Sequence, residues 1–152
     1  MCEYDSLADI YEIWSTADQA YVPSHDFYVQ VACNTKGNIV ELGVGTGRIA
    51  IDIAKKGKSI TGVDISSGML KHCQTKAKLA GIDQKITLIH SDIRNFKLSQ
   101  KADLIIFPFR SFGHLLTLDD KRAALCQIYN NLAFGGLLIF DHYVFDEQWA
   151  HT

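Results

Sequence analysis

The residues from Val40 to Arg48 read Val-Glu-Leu-Gly-Val-Gly-Thr-Gly-Arg, so glycines at 43, 45 and 47 follow an apolar run that carries an acid, Glu41. Removing the β-carbon at alternate positions lets a turn adopt backbone angles closed to other residues, and lets a ligand lie directly against the main chain. Carboxylates recur at equivalent places further on: Asp64 follows the apolar run 59–63, and Asp92 stands in Ser91-Asp92-Ile93 after the run 85–90. An acid placed like Asp64 after a glycine turn can accept both hydroxyl hydrogens of a ribose, the plain alternative being a turn aspartate that caps the next helix. Asp92 can accept a hydrogen bond from an adenine amino group, with Ile93 against the ring. A nucleoside ligand is implied. The glycines run G-x-G-x-G with Arg48 where a dinucleotide fingerprint has its third glycine, which weakens a nicotinamide cofactor.

These residues need a scaffold that brings them to one edge. From residue 38 onward, short β-branched runs alternate with segments of helical period, the pattern of a parallel sheet covered by helices. Strands are expected over 38–42, 59–63, 85–90, 102–107 and 137–142. Helices are expected over 48–56, from Ser66 or Ser67 to Gly81 with Met69, Cys73, Ala77 and Ala80 as an apolar stripe, and over 118–132 with Leu118, Leu125, Ile128 and Leu132 facing inward. Gly135-Gly136 should form the turn into strand five. Upstream, 6–14 and 24–33 read as helices around Pro23. The fold class expected is α/β, a doubly wound, Rossmann-like parallel sheet of order 3-2-1-4-5. Residues 1–37 are assigned as an N-terminal helical lid or flank and 38–152 as the core of one domain. In such sheets ligands sit beyond the carboxyl ends of the strands.

The 152 residues are 47% apolar with a formal charge of −2. That suffices for one core and disfavours a sequence-independent grip on nucleic acid or an anionic membrane. The cysteines at 2, 33, 73 and 126 are scattered without metal-ligand spacing and read as reduced thiols; no metal is expected. No run approaches the length of a membrane span, and a cytoplasmic location is expected.

Taken together, the glycine loop, Asp64, Ser91-Asp92-Ile93, Phe107-Pro-Phe-Arg110 and 132–140 (Leu-Ala-Phe-Gly-Gly-Leu-Leu-Ile-Phe) resemble a class I S-adenosylmethionine-dependent methyltransferase over nearly the whole chain. The similarity is to small-molecule methyltransferases acting on amino sugars, amines and hydroxyls. It implies S-adenosylmethionine as cofactor and S-adenosylhomocysteine as product. Glu41, Gly43 and Gly45 would line the methionine and ribose, Asp64 with Ile65 the ribose and its surroundings, Met69, Asp92 and Ile93 the adenine, and Phe107 the methionine end. Tyr4-Asp5 and Tyr11 resemble an N-terminal element whose tyrosine covers the cofactor. His114 is the expected proton acceptor, against a structural role flanking a helix. Arg110 reads as a solvated cation or a partner for an acidic acceptor. The N-P-P-Y type signature of several nucleic-acid and glutamine methylating enzymes is absent after strand four, which argues for a small acceptor.

Such enzymes usually continue past strand five into a helix and two antiparallel strands, whereas this sequence stops at Thr152. The outer edge of strand five is therefore expected to lack its cover, either because the chain is a fragment or because a homodimer forms there through Tyr143, Phe145 and Trp149. The competing reading is a non-catalytic module that binds the cofactor without chemistry.

Overall fold

A computed structural model describes residues 22–142. The helix expected over 6–14, Tyr11, and the aromatic tail Tyr143, Phe145 and Trp149 lie outside the described residues. Helix α1 (Val22–Asn34) precedes β1 (Ile39–Leu42), α2 (Arg48–Lys55), β2 (Ile60–Asp64) and α3 (Ser67–Leu79). There follow β3 (Ile86–His90), β4 (Ala102–Phe107), a short 3-10 turn (Ser111–His114), α4 (Leu118–Asn131) and β5 (Leu132–Phe140).

All five strands are parallel and lie in the order β3-β2-β1-β4-β5. The expected doubly wound topology is present. Its order reverses between β1 and β4, so the carboxyl ends of these strands flank the crevice where ligands of such sheets bind.

Alternation along the strands divides the core between the two faces of the sheet. Ile39, Ile60, Leu104 and Ile106 pack against Tyr28, Val29 and Ala32 of α1, Ile49 and Ile53 of α2, and Leu70 and Cys73 of α3. Val40, Leu42, Val63, Ile105 and Phe107 face the other way, onto Phe96, Phe112 and Leu115 and onto Ala124 and Ile128 of α4. Both faces of the central strands are covered, which is why they are apolar at nearly every position.

Three expectations need correction. In α4, Leu118 and Leu125 are 71% and 41% exposed, while Ala124 and Asn131 are buried beside Ile128. The helix packs on the core through Ala124 and Ile128, and Asn131 ties it to the loop before β4, its Oδ1 accepting the Leu98 N–H at 3.1 Å while its Nδ2 donates to the Gln127 carbonyl at 2.8 Å. In α3, Met69, Leu70, Cys73 and Ala77 form the buried stripe and Ala80, the residue that ends the helix, is exposed. Finally, β5 starts at Leu132 rather than 137 and ends at Phe140 rather than 142. Ala102 pairs with Leu132 and Leu104 with Leu137, so Gly135 and Gly136 sit in an irregularity of the strand instead of a turn before it. Gly135 has φ +76°, and a β-carbon on Gly136 would stand 2.9 Å from the Ala102 carbonyl oxygen. Only glycine lets the backbones approach that closely.

Candidate functional site

The turn after β1 is built from three glycines with different duties. Gly43, Gly45 and Gly47 all have positive φ, at +67°, +52° and +83°. A β-carbon on Gly47 would meet the Cys73 sulfur at 2.4 Å, and one on Gly43 would lie 3.3 Å from Ser111 and 3.7 Å from the Phe107 ring. These two positions are closed by the protein itself. At Gly45 the nearest atom is 4.0 Å away, so the middle of the turn presents bare backbone to open space.

The turn is fastened to the end of β2. The amides of Gly43 and Val44 both donate to the Val63 carbonyl, at 2.8 and 3.1 Å. Asp64 completes the attachment, one oxygen accepting the Gly45 N–H at 2.8 Å and the other the Ser66 N–H at 2.8 Å. Ser66 in turn caps α3, its hydroxyl accepting the Met69 N–H at 3.1 Å. Burial pushes the Asp64 carboxyl above its ordinary range, and the amides of Ser66 and Gly45 oppose that shift. The Ile65 amide opposes it too, so three main-chain N–H groups converge on this carboxylate.

Glu41 lies beneath the turn, 2% exposed. Its Oε2 has no hydrogen-bond partner, nor has the Oγ1 of Thr46, which is 1% exposed. Burial holds the Glu41 carboxyl well above its usual value; the Ala50 amide opposes this, the neighbouring Asp64 adds to it, and Arg48 offsets part of it. Two orphaned polar atoms, one in the turn and one in the strand that leads into it, fit a polar ligand at this place, since buried groups of this kind cost stability when left unsatisfied.

Ile65, Asp92 and Ile93, expected at the adenine end, follow the neighbouring strands β2 and β3. Ile65 is 49% exposed just after β2, and Asp92 and the half-buried Ile93 follow β3 on the same edge of the sheet. Met69 is 3% exposed and packed within α3. Phe107 is 1% exposed and meets Phe112 edge-on at 5.9 Å, so its ring supports the glycine turn from the core. His114 ends the 3-10 turn beyond β4 and is exposed.

At this edge Tyr28 and Asp141 were not anticipated, nor was the conformation of the 107–110 stretch. Phe109 and Arg110 are consecutive non-glycine residues with φ +58° and +60°, a sparsely populated conformation that has to be held by its surroundings. The Arg48 guanidinium stacks over the Phe109 ring at 4.6 Å, and the Arg110 N–H donates to Asp141 at 3.2 Å. Asp141 also accepts the Tyr28 hydroxyl at 3.1 Å. Burial, followed by the nearby Asp141 charge and this hydrogen bond, raises the Tyr28 hydroxyl above its ordinary range. Asp141 directly follows β5, as Asp64 ends β2 and Asp92 follows β3, so the rule that named those two, applied to the last strand, would have found it. Among the described residues no cluster of histidine, cysteine or acid is able to hold a metal ion, and no helix is long and apolar enough to cross a membrane.

Comparison with known proteins agrees with this geometry. Residues 39–136 match a family described as a methyltransferase domain. The CcbJ methyltransferase of Streptomyces caelestis superposes with a TM-score of 0.78 at 25% identity, covering 88% of this chain and 54% of that one. An S-adenosylmethionine-dependent methyltransferase of Clostridium acetobutylicum ATCC 824 superposes at 0.74 with 30% identity, over 91% of this chain and 57% of that one. The carboxy-S-adenosyl-L-methionine synthase of Aliivibrio salmonicida (strain LFI1238) is 29% identical over 130 residues, 85% of this chain and 50% of the relative. The chain spans about half the length of these relatives.

The raised Glu41 carboxyl makes stability depend on pH with a definite sign. Unfolded, the group ionises near its ordinary value of 4.5; folded, it stays protonated to higher pH, so the native state binds more protons and loses stability as pH rises through that interval. Glu41→Gln keeps the shape and removes the ionisation. Its stability relative to the parent, from urea unfolding, should grow by about 1 kcal/mol per pH unit inside the window, whereas parallel curves would mean that Glu41 is ionised in the fold. The match over 39–136 with the strand order and glycine turn described above places this chain in the methyltransferase domain family.

Proposed function

We propose that the chain binds S-adenosylmethionine at the carboxyl ends of β1, β2 and β3 and serves methyl transfer to a nitrogen or oxygen of a small molecule. The observation that carries this reading is the open Gly45 backbone held by Asp64, with the buried and orphaned Glu41 carboxyl close enough to Asp64 to feel its charge. When bound, the cofactor supplies a methyl group on a sulfonium, from which the thioether leaves as the acceptor's lone pair attacks. Glu41, Gly43 and Gly45 hold its amino-acid end, and Asp64 holds the ribose hydroxyls. Ile65, Met69, Asp92 and Ile93 surround the adenine, with Met69 acting through the packing of α3. Phe107 keeps the turn in place from below, and the segment before α1, including Tyr11, is assigned to cover the methionine end as a lid. Family membership and the cofactor named for the Clostridium relative support this assignment.

Catalysis in such a site rests on alignment of donor and acceptor, since the chemistry resides in the sulfonium. The strained Phe109–Arg110 segment, pinned by Asp141 and Arg48, gives the acceptor side a fixed wall. His114 is the proposed proton acceptor. A binding module without chemistry is the alternative reading; it is favoured by the exposure of His114.

The outer edge of β5 is proposed to pair with a second copy. Phe134, Leu137 and Phe140 are 109%, 59% and 43% exposed along it, and an apolar strand edge of that kind invites association.

Three measurements test these assignments. Calorimetric titration with S-adenosylhomocysteine should show Asp64→Ala binding more weakly by about 1–3 kcal/mol, because charge-assisted hydrogen bonds are lost; unchanged affinity would take Asp64 out of the site. His114→Ala should lower kcat by about a hundredfold or more with cofactor affinity retained, and an unaltered kcat removes the histidine from the chemistry. Sedimentation at micromolar concentration should give the mass of a dimer, while a strictly monomeric mass contradicts pairing at β5.

A further inference from the structure

At the purine end, the carboxylate expected to read the base is already engaged. Asp92 Oδ1 accepts the Arg94 main-chain N–H at 2.8 Å and its Nε–H at 3.0 Å. Oδ2 accepts the same Nε–H at 3.1 Å and an Nη2–H at 2.5 Å. The remaining arm of the guanidinium, Nη1, donates to Asp120 Oδ1 at 2.5 Å. Asp120 is fixed independently: its Oδ2 accepts the Thr117 hydroxyl at 2.7 Å, and its N–H donates back to that hydroxyl at 3.1 Å as the cap of α4. The pairing with Arg94 also holds the Asp92 carboxyl below the usual carboxylate range. Asp92 and Arg94 remain open to solvent, with side chains 21% and 42% exposed, so a ligand can reach the pair.

Both Asp92 oxygens therefore carry donors before any ligand arrives. An exocyclic amino group entering here must displace an Arg94 arm or share its oxygen, and Asp120 offers that arginine a second acceptor that does not depend on Asp92. We infer that Arg94 sets affinity and base selectivity at the purine end by competing with the ligand's amino group for Asp92, and that it yields the carboxylate by swinging on its Asp120 anchor. The inference rests on the cofactor assignment above and deepens it. Arg94 is a positioning residue here, acting on the ligand through Asp92. A merely structural arginine would do the reverse, since its removal would loosen Asp92 and weaken every ligand alike.

The test is calorimetric titration of the 152-residue chain and of Arg94→Ala with S-adenosylhomocysteine and with its deaminated analogue, S-inosylhomocysteine. Removing an exposed competing ion pair should tighten S-adenosylhomocysteine binding by about two- to fivefold. The gain should shrink between about 0.05 M and about 0.5 M salt, where the pair is screened in the parent. The inosine analogue has no amino group to offer Asp92 and should not bind more tightly to the variant. Arg94→Lys, which keeps the charge without the fork, should fall between the two proteins. Equal or weaker binding of S-adenosylhomocysteine to Arg94→Ala, or equal tightening of both ligands, overturns the inference while leaving the cofactor assignment intact. Absence of binding to both proteins overturns the two together.

Discussion

The Asp64 carboxylate is the joint on which the site depends. Through Gly45 it holds the turn after β1, and through Ser66 it holds the start of α3, so one side chain sets the distance between two loops that come from different strands. Both bonds are charge-assisted and largely shielded from water, which makes them stronger than their neutral counterparts. The position of Gly45 follows from this anchor, and so does the gap above it that a ligand can enter. The other two glycines close against Ser111 and Cys73 and prevent the turn from relaxing inward.

Around this joint the fold gathers several polar groups that it does not fully satisfy. Glu41 and Thr46 each keep a buried oxygen without a partner, and Phe109 and Arg110 are held in a strained conformation by Arg48 and Asp141. Each of these costs stability, and a structure keeps such costs where the surrounding packing over-determines them, commonly at functional sites. All of them lie at or beyond the carboxyl ends of β1, β4 and β5. The sheet order explains the clustering, because the strand sequence reverses between β1 and β4 and opens the crevice there.

How much of this could be read from the residue string depends on how local each feature is. The strands were legible because their β-branched runs are bounded by turn residues, and Asp64 and Asp92 because they sit at strand ends within a few residues of those signals. The inward face of α4 was legible only in part: Ile128 is buried as its size suggests, but counting large apolar residues also favours Leu118 and Leu125, whereas Ala124 and Asn131 are the ones buried beside it. The Gly135-Gly136 pair announced a special backbone but not that it lies inside a strand, since that depends on pairing with Ala102. The Tyr28–Asp141 bond joins residues 113 positions apart, and no local pattern carries information over such a separation. Arg94 was equally silent, because its meaning arises only where Asp120 of another element reaches it.

On the proposed assignment one adenosine-sized ligand contacts the ends of three strands at once. Amide chemical-shift mapping of the chain with added S-adenosylhomocysteine tests it directly. Saturable shifts that follow a single binding curve are expected at Gly43, Gly45, Asp64, Ile65, Asp92 and Ile93. Shifts confined to other surfaces, or to just one of these three loops, would contradict it.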